Sequence, residues 1–192
     1  MNYIQVFEWC GLIAGLFYIY YQFHVSVKLW VANLVMSLFY VAINFHAHLY
    51  ALTGLYVYYC LAAIYGLAMW KRQSKSTARE LPISHMQRIL HFKIWGVIAV
   101  LTLFISFIFT TLGEGDVVVV DAFTSSVSIV SLWLLSRKYV EQWLYWIVVD
   151  VVNTILYIYK GLYPTAALFA FYTIVAIYGY YHWLQLMKNT EK

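Results

Sequence analysis

Charge is scarce in this sequence. Only 10% of its 192 residues are Asp, Glu, Lys or Arg, whereas 64% are hydrophobic and 20% are aromatic. A soluble globular domain carries about 25% charged residues. The composition therefore excludes a soluble domain and predicts a polytopic membrane protein, with the lipid bilayer as its surroundings.

Cysteine and catalytic motifs are also lacking. The two cysteines, Cys10 and Cys60, lie in apolar runs without CxxC spacing, which argues against a disulfide scaffold or a zinc site. His46 and His48 have no third metal ligand nearby, so we expect them to be interfacial histidines. No Walker loop, GxSxG, HExxH or Ser-His-Asp order is present. We therefore predict neither an enzyme nor a bound cofactor or metal.

Long apolar runs are abundant. A helix needs about 20 mostly apolar residues to cross the hydrocarbon core of a bilayer, and seven runs approach or exceed that length. They comprise residues 3–23, 29–46, 49–70, 94–112, 119–136, 142–160 and 163–187. The alternating pattern of a β-barrel is absent, and a helix satisfies every backbone group internally. The predicted fold class is an all-α bundle of seven transmembrane helices.

Basic residues concentrate on one side of this predicted bundle. Eleven of the twelve Lys and Arg residues follow the first, third, fifth or seventh run, and only Lys160 falls on the opposite side. The opposite side also holds the acidic stretch 113–116. Positive charge marks the cytoplasmic side, which places the N-terminus outside and the C-terminus in the cytoplasm. The polar connection 71–93 is predicted to be a solvated cytoplasmic loop that is attracted to anionic lipid, not to nucleic acid.

A repeat links the two ends of the chain. Residues 49–70 align without gaps with residues 162–183 and are identical at nine of the 22 positions. The same offset of 113 carries Trp30 onto Trp143. One offset that spans several helices predicts a duplicated unit, because chance similarity between apolar helices would not keep one register.

The repeat predicts a 3+1+3 arrangement. Residues 1–70 form the first three-helix unit, 71–118 the cytoplasmic loop and a linker helix, and 119–192 the second three-helix unit. Because four helices separate equivalent positions, the two units have the same orientation in the membrane. Transporters built from such parallel repeats alternate access to a site near the middle of the bilayer.

The sixth run carries polar and aromatic residues on one helical face. Trp143, Trp146, Asp150, Asn153 and Tyr157 follow steps of three and four residues. An ionised carboxylate near the middle of a spanning helix costs at least about 2.5–3.5 kcal/mol unless it meets water or a partner. Every Lys and Arg lies near a helix end, so the missing partner of this carboxylate is predicted to be a ligand. Subtracting 113 gives a second face, formed by Trp30, Asn33, Ser37, Tyr40 and Asn44.

The residue types on these faces indicate the chemistry of the ligand. A carboxylate attracts a cation, aromatic rings stack on a flat ring, and amides and hydroxyls bind polar substituents. The expected ligand is a flat, cationic, hydroxylated small molecule. The alternative is structural: the tryptophans pack or lie at the interface, and Asp150 hydrogen-bonds a neighbouring side chain. Glu8 and Asp121, which the offset pairs, are expected to be hydrated helix-end residues. The polar stripe of the fifth run, Thr124, Ser125, Ser128 and Ser131, either lines a pathway or makes small interhelical contacts.

Four segments resemble a known family. They are RKYVEQWLYWIVVDVVNTILYIYKGLY at 137–163, EWCGLIAGL at 8–16, HLYA at 48–51 and YGLAMW at 65–70. Together they resemble the PnuC family of bacterial vitamin-precursor transporters, over nearly the whole chain. The resemblance implies a multi-pass inner-membrane protein that imports nicotinamide riboside by facilitated diffusion. It further implies a homotrimer, a cytoplasmic kinase that traps the product, and a substrate site lined by Trp143, Trp146 and Asp150.

Several alternatives stay open at this point. Thiamine, the substrate associated with the PnuT branch of the family, is also a flat cation. Proton coupling through Asp150 is a second mechanism, since a carboxylate exchanges a proton for a cation. A non-transporting sensor or accessory subunit would use the aromatic face for a partner helix. A sugar transporter of the SWEET type shares the 3+1+3 plan, but a neutral sugar gives Asp150 no charge to balance.

Overall fold

Seven helices form the part of the chain that the computed structural model describes, residues 3–77, 81–113 and 117–190. The helices are α1 (Tyr3–Phe23), α2 (Lys28–His46), α3 (Tyr50–Thr77), α4 (Arg88–Leu112), α5 (Val118–Ser136), α6 (Gln142–Tyr159) and α7 (Tyr163–Thr190). The predicted all-α fold class with seven helices is confirmed. Arg79, the acidic stretch 114–116 and the side chain of Glu8 lie outside the described residues.

Helix boundaries differ from the predicted spans on the basic side. The α3 helix continues seven residues beyond its apolar run to Thr77, and α4 begins at Arg88, six residues before its apolar run. Both extensions carry Lys and Arg, which are good helix formers. Hydropathy shows only where a helix leaves the hydrocarbon, whereas hydrogen bonding continues the helix into water. The predicted loop 71–93 is thus largely helical at both ends.

Four of the described helical segments are long and apolar enough, by length and composition alone, to cross a membrane: α2, residues 50–72 of α3, α4 and α5. The α1, α6 and α7 helices are rich in Tyr and Trp, and α6 also carries Asp150 and Asn153. Aromatic rings with a polar group and buried polar side chains lower mean hydropathy without preventing a helix from spanning a bilayer.

The first compact unit, Met1–Leu81, contains α1, α2 and α3. Here α2 packs on both α1 and α3. Its inner side chains, among them Leu29, Trp30, Asn33 and Ser37, are almost completely buried. The central helix of this unit therefore carries one of the two predicted polar faces in its interior.

The second compact unit, Pro82–Lys192, contains α4 to α7, and each helix packs on the next one in the chain. One cluster of apolar side chains joins α4, α5 and α6: Met86, Ile94, Ile98, Val127, Val130, Leu134, Tyr145 and Val149. The division at residue 81 places α4 with the last three helices. The predicted three-part division, the 3+1+3 arrangement and the orientation in the membrane stay predictions.

Candidate functional site

Trp143 is held by close packing between α6 and α7. Its indole is 3% exposed and forms an edge-to-face pair with Trp183, with ring centroids 5.9 Å apart and planes at 88°. A Cβ built on Gly179 would lie 2.7 Å from the Trp143 ring, so only glycine leaves room for the indole. The ring is thus engaged with α7, in agreement with the structural alternative for this tryptophan.

The same packing occurs 113 residues earlier in the first unit. Trp30 forms an edge-to-face pair with Trp70, with centroids 5.7 Å apart and planes at 89°. A Cβ on Gly66 would clash with the Trp30 ring. The offset found in the sequence therefore corresponds to one repeated three-residue contact, Trp, Gly and Trp, between the central helix and the helix that follows it.

Asp150 lies seven residues after Trp143 and seven before Tyr157, about 10 Å from each along α6. It therefore shares the helical face from which both of those residues contact α7. Its side chain is buried, with 6% of the residue exposed. Its backbone carbonyl accepts a bond of 2.7 Å from the Thr154 hydroxyl. Across the portion of the chain that the structure describes, no hydrogen bond or ion pair reaches its carboxylate.

Other residues on the same face of α6 leave further polar groups without partners. The indole Nε1 atoms of Trp143 and Trp146 are buried and have no hydrogen-bond acceptor among the described residues. Trp146 is partly buried and packs at the edge of the apolar cluster of α4 to α6. Asn153 is also partly buried. Buried polar groups are almost always hydrogen-bonded, so unsatisfied donors beside an unsatisfied carboxylate are typical of a binding site.

Tyr157 ends the predicted face of α6 in an aromatic stack. Its ring lies parallel to that of Phe169 on α7, with centroids 5.3 Å apart and planes at 12°. In the first unit Tyr40 stacks in the same way on Tyr56, with centroids 5.0 Å apart and planes at 18°. Tyr56 and Phe169 are repeat equivalents, whereas the tyrosines on α2 and α6 differ by one helical turn. Both tyrosines help to fix the central helix against its neighbour.

The polar residues of α2 largely bond one another. The Ser37 hydroxyl donates to Asn33 Oδ1 at 3.2 Å, and Asn44 Nδ2 donates to the Tyr40 carbonyl at 2.7 Å. Asn33 Nδ2 remains a buried donor without an acceptor in the described part of the chain. The α2 face therefore offers hydrogen bonds to a ligand but no charge.

The weaker candidate residues form contacts within the protein. Asp121 Oδ2 lies 3.9 Å from Lys160 Nζ, and both side chains are about a quarter exposed, so this carboxylate has a partner. The hydroxyls of Thr124, Ser128 and Ser131 on α5 donate to backbone carbonyls of their own helix four residues back. No group of three or more His, Cys, Asp or Glu that could hold a metal occurs among the described residues.

Comparison with known proteins covers almost the whole chain. The family model described as "Nicotinamide mononucleotide transporter" matches residues 5–185. The chain belongs to this transporter family. This result agrees with the absence of catalytic motifs in the sequence, and the protein is a transporter and not an enzyme.

Individual members of the family give the same result. The chain is 27% identical to the nicotinamide riboside transporter PnuC of Escherichia coli K12 over 206 aligned residues, which cover 95% of this chain and 86% of the relative. It is 28% identical to the Haemophilus influenzae protein of that name over 145 residues, or 72% of this chain and 61% of the relative. The resemblance to PnuC found in the sequence is confirmed.

A solved structure supports the fold. The crystal structure of a vitamin B3 transporter PnuC superposes with a TM-score of 0.74, covering 94% of this chain and 81% of that one at 21% identity. Together with the apolar helices, the family assignment makes this chain a multi-pass protein of the bacterial inner membrane.

Sequence reasoning missed two features of the second unit. Glu141 was not singled out, yet it is buried and bonded to the end of the α3–α4 connection. The ion pair between Asp121 and Lys160 was also missed. A charged residue directly before an apolar run, as in RKYVEQW, was the available signal for Glu141. Nothing local in the sequence indicates its distant partners.

Proposed function

We propose that this protein imports nicotinamide riboside into the cell by facilitated diffusion. One observation carries the proposal: the carboxylate of Asp150 is buried on α6 without a hydrogen bond or ion pair from any described residue. A buried carboxylate requires a compensating charge or hydrogen bonds. A cationic substrate supplies that charge, and the relatives carry the name of such a substrate.

The chemistry of nicotinamide riboside fits the α6 face. Its pyridinium ring is flat and positively charged, so it can pair with Asp150 and stack on an aromatic face. Trp146 supplies that face, because its ring is only partly buried, whereas Trp143 is packed against Gly179. Asn153 lies three residues after Asp150 on α6, and its amide can hydrogen-bond a hydroxyl of the ribose. In this proposal Trp143 and Tyr157 hold α6 in place through their contacts with α7 and border the substrate.

The phosphate of nicotinamide mononucleotide argues against that molecule as the substrate, despite the family description. A phosphate monoester adds a charge of about −1.5 to −2 at pH 7. Beside Asp150 this charge would be repelled, and the basic residue that directly follows α6, Lys160, already pairs with Asp121. The riboside has the same pyridinium without the phosphate, which supports it over the mononucleotide.

The proposal extends to the repeat-related residues of α2. Asn33 and Ser37 form an oriented pair in which Asn33 Nδ2 is left as a buried donor. This donor is available to an oxygen of a ligand that reaches the α2 face. Tyr40 and Asn44 are included because they continue the same face, although their own contacts are mostly structural.

We also propose a homotrimer and a metabolic partnership with a cytoplasmic kinase. The resemblance to the PnuC family supports both. Facilitated diffusion only equalises free substrate across the membrane, so net accumulation requires a reaction that consumes the imported molecule. A kinase meets this requirement because a phosphorylated product no longer suits the site. The mass of the purified protein, corrected for detergent, tests the trimer.

Titration calorimetry on the purified protein tests the substrate. Nicotinamide riboside, thiamine and nicotinamide mononucleotide are titrated separately into the wild type, Asp150→Asn and Asp121→Asn. Loss of one partner of a buried charge pair costs about 2–5 kcal/mol, so Asp150→Asn should weaken riboside binding by roughly 30-fold or more. Asp121→Asn, at a partly exposed helix end, should bind like the wild type.

Each other outcome has a defined meaning. Wild-type affinity in Asp150→Asn would refute the role of the carboxylate. Binding of thiamine without the riboside would reassign the substrate. If none of the three molecules binds, the sensor or accessory-subunit hypothesis takes the place of transport of these vitamins.

A further inference from the structure

Glu141 is a buried carboxylate outside the α6 face described above. Its residue is 6% exposed and immediately precedes α6. The backbone N–H of Met86 donates to Oε2 at 3.0 Å, and His85 Nδ1 lies 2.8 Å from Oε1. A carboxylate oxygen accepts hydrogen bonds, so the His85 tautomer with its proton on Nδ1 donates in this contact. Both oxygens of Glu141 therefore bind the segment that leads into α4.

Backbone hydrogen bonds add to this attachment. The Ser84 N–H donates to the Lys138 carbonyl at 3.2 Å, and the Val140 N–H donates to the Ser84 carbonyl at 3.1 Å. These two bonds form an isolated parallel bridge between Ser84 and Tyr139. The attachment thus comprises two backbone bonds and two bonds to Glu141, which we together call the latch.

The latch lies at a junction between three helices. Met86 is buried in the apolar cluster of α4, α5 and α6, and α4 begins two residues later. Glu141 lies between the end of α5 and the start of α6. The repeat equivalent of Glu141 is Lys28, so the first unit has no acidic counterpart. The latch is therefore a specific feature of the second unit and is not a general element of the repeat.

We propose that Glu141 is a positioning residue for transport. Through the latch it holds the start of α4 against the start of α6 throughout the transport cycle, so that α4, α5 and the first turns of α6 move as one body. The first turns of α6 carry Trp143 and Trp146, whose positions consequently depend on Glu141. This inference rests on the proposed transport function, but not on the identity of the vitamin.

A disulfide across the bridge tests whether the latch stays closed. Paired residues of neighbouring strands lie about 4.8 Å apart, which suits a disulfide. Ser84→Cys and Tyr139→Cys are combined with Cys10→Ser and Cys60→Ser, and riboside uptake is measured in vesicles with and without reductant. We expect the oxidised protein to transport at the rate of the reduced one. Oxidised protein that stops and recovers on reduction would overturn the proposal, because the latch would then have to open.

Glu141→Ala tests whether the latch positions α6. We expect the maximal uptake rate to fall about tenfold, which is 1.36 kcal/mol in the barrier. Glu141→Gln keeps an acceptor for Met86 N–H, and its amide can donate to the other tautomer of His85, so it should stay close to the wild-type rate. The disulfide formed in the Ser84→Cys and Tyr139→Cys background should restore uptake in Glu141→Ala. Uptake is expressed per amount of folded protein, so that stabilisation by the disulfide is not counted as restored transport.

Three results would contradict the positioning role: wild-type uptake in Glu141→Ala, failure of the disulfide to restore uptake, or a loss in Glu141→Gln equal to that in Glu141→Ala. If Glu141→Ala does not fold, the disulfide between positions 84 and 139 is tested in the protein that keeps Glu141. Uptake by that protein still shows whether the latch has to open. Failure of the proposed function is distinguishable, since it would appear as absent uptake in the wild type. The latch is judged only from rates relative to the wild type.

Discussion

Replacement of Gly179 by alanine probes the packing that fixes Trp143. A Cβ at this position would lie 2.7–2.8 Å from three atoms of the Trp143 ring. Carbon atoms in contact prefer separations of about 3.5–4.0 Å, so the indole would have to retreat by about 0.8 Å. Trp183 contacts the same ring, which leaves the indole little room to move.

The magnitude follows from two opposing effects. Insertion of an extra methyl group into a packed interior costs about 1–3 kcal/mol. Alanine in place of a helical glycine returns about 0.8–1.0 kcal/mol. We therefore expect a net destabilisation of about 1 kcal/mol for Gly179→Ala. A control glycine whose replacement by alanine causes no clash gains only the helix propensity of about 0.8–1.0 kcal/mol. The expected difference in the free energy of unfolding between Gly179→Ala and such a control is therefore about 2 kcal/mol.

Gly54 and Gly96 supply the controls. Both lie in helices, and a Cβ at either position meets no atom within 4 Å. Thermal unfolding in detergent is followed for the wild type, Gly179→Ala, Gly54→Ala and Gly96→Ala. A change of 1 kcal/mol moves the midpoint by about 2–4 °C for a chain of this size, so Gly179→Ala should melt about 4–8 °C below the controls. Trp143→Phe in the Gly179→Ala background should recover part of this loss, since the phenyl ring is smaller.

Equal midpoints for Gly179→Ala and Gly54→Ala would refute this reasoning. Trp143 would then not be packed tightly against α7, and its ring would be free to move toward a ligand. Gly66→Ala, the repeat equivalent, provides an independent check because the same Cβ clash occurs with Trp30.

Two further predictions concern polar contacts. Lys160→Ala should lower the free energy of unfolding by about 0–1 kcal/mol, because its ion pair with Asp121 is long and partly exposed. The loss should be smaller in high salt. A salt-independent loss above about 2 kcal/mol in thermal unfolding would contradict this prediction. Ser37→Ala should cost about 1–3 kcal/mol, because it leaves the buried Asn33 Oδ1 without its donor. The control is Ser126→Ala, which leaves no side-chain group unpaired because its hydroxyl donates to the backbone carbonyl of Ala122. Equal losses in the two alanine variants would argue against the buried pair.

The sequence was sufficient to predict the helices because membrane insertion depends mainly on composition. Six of the seven predicted starts lie within one residue of the observed helix, and the exception is α4. The helical parts of the basic segments were not predicted, because their helicity comes from hydrogen bonding in water and not from burial. The docking of residues 81–87 onto the α5–α6 turn was also unpredictable. It depends on backbone groups and on Glu141, which leave no periodic pattern in the sequence.

The sequence predicted the residue types of the candidate site but not all of the packing contacts of these residues. Asp150 stood out because a carboxylate in an apolar run is costly wherever it has no partner, and this argument needs no tertiary structure. Trp143 is different, because a helical face predicts direction and not the neighbour that the ring meets. Its contact with Gly179 required two helices to be placed together. Repeat equivalence with Trp30 and Gly66 was the only signal of that contact in the sequence.

Comparison of the two repeats separates scaffold from chemistry. The packing residues are the same in both units, since Trp30 and Trp143 each face a glycine and a second tryptophan. The polar position between the packing contacts differs: Ser37 bonds Asn33 inside its own unit, whereas Asp150 has no partner among the described residues. Because the Ser37–Asn33 pair is neutral, the proposal of a cationic substrate depends on the carboxylate of Asp150 and not on the α2 face.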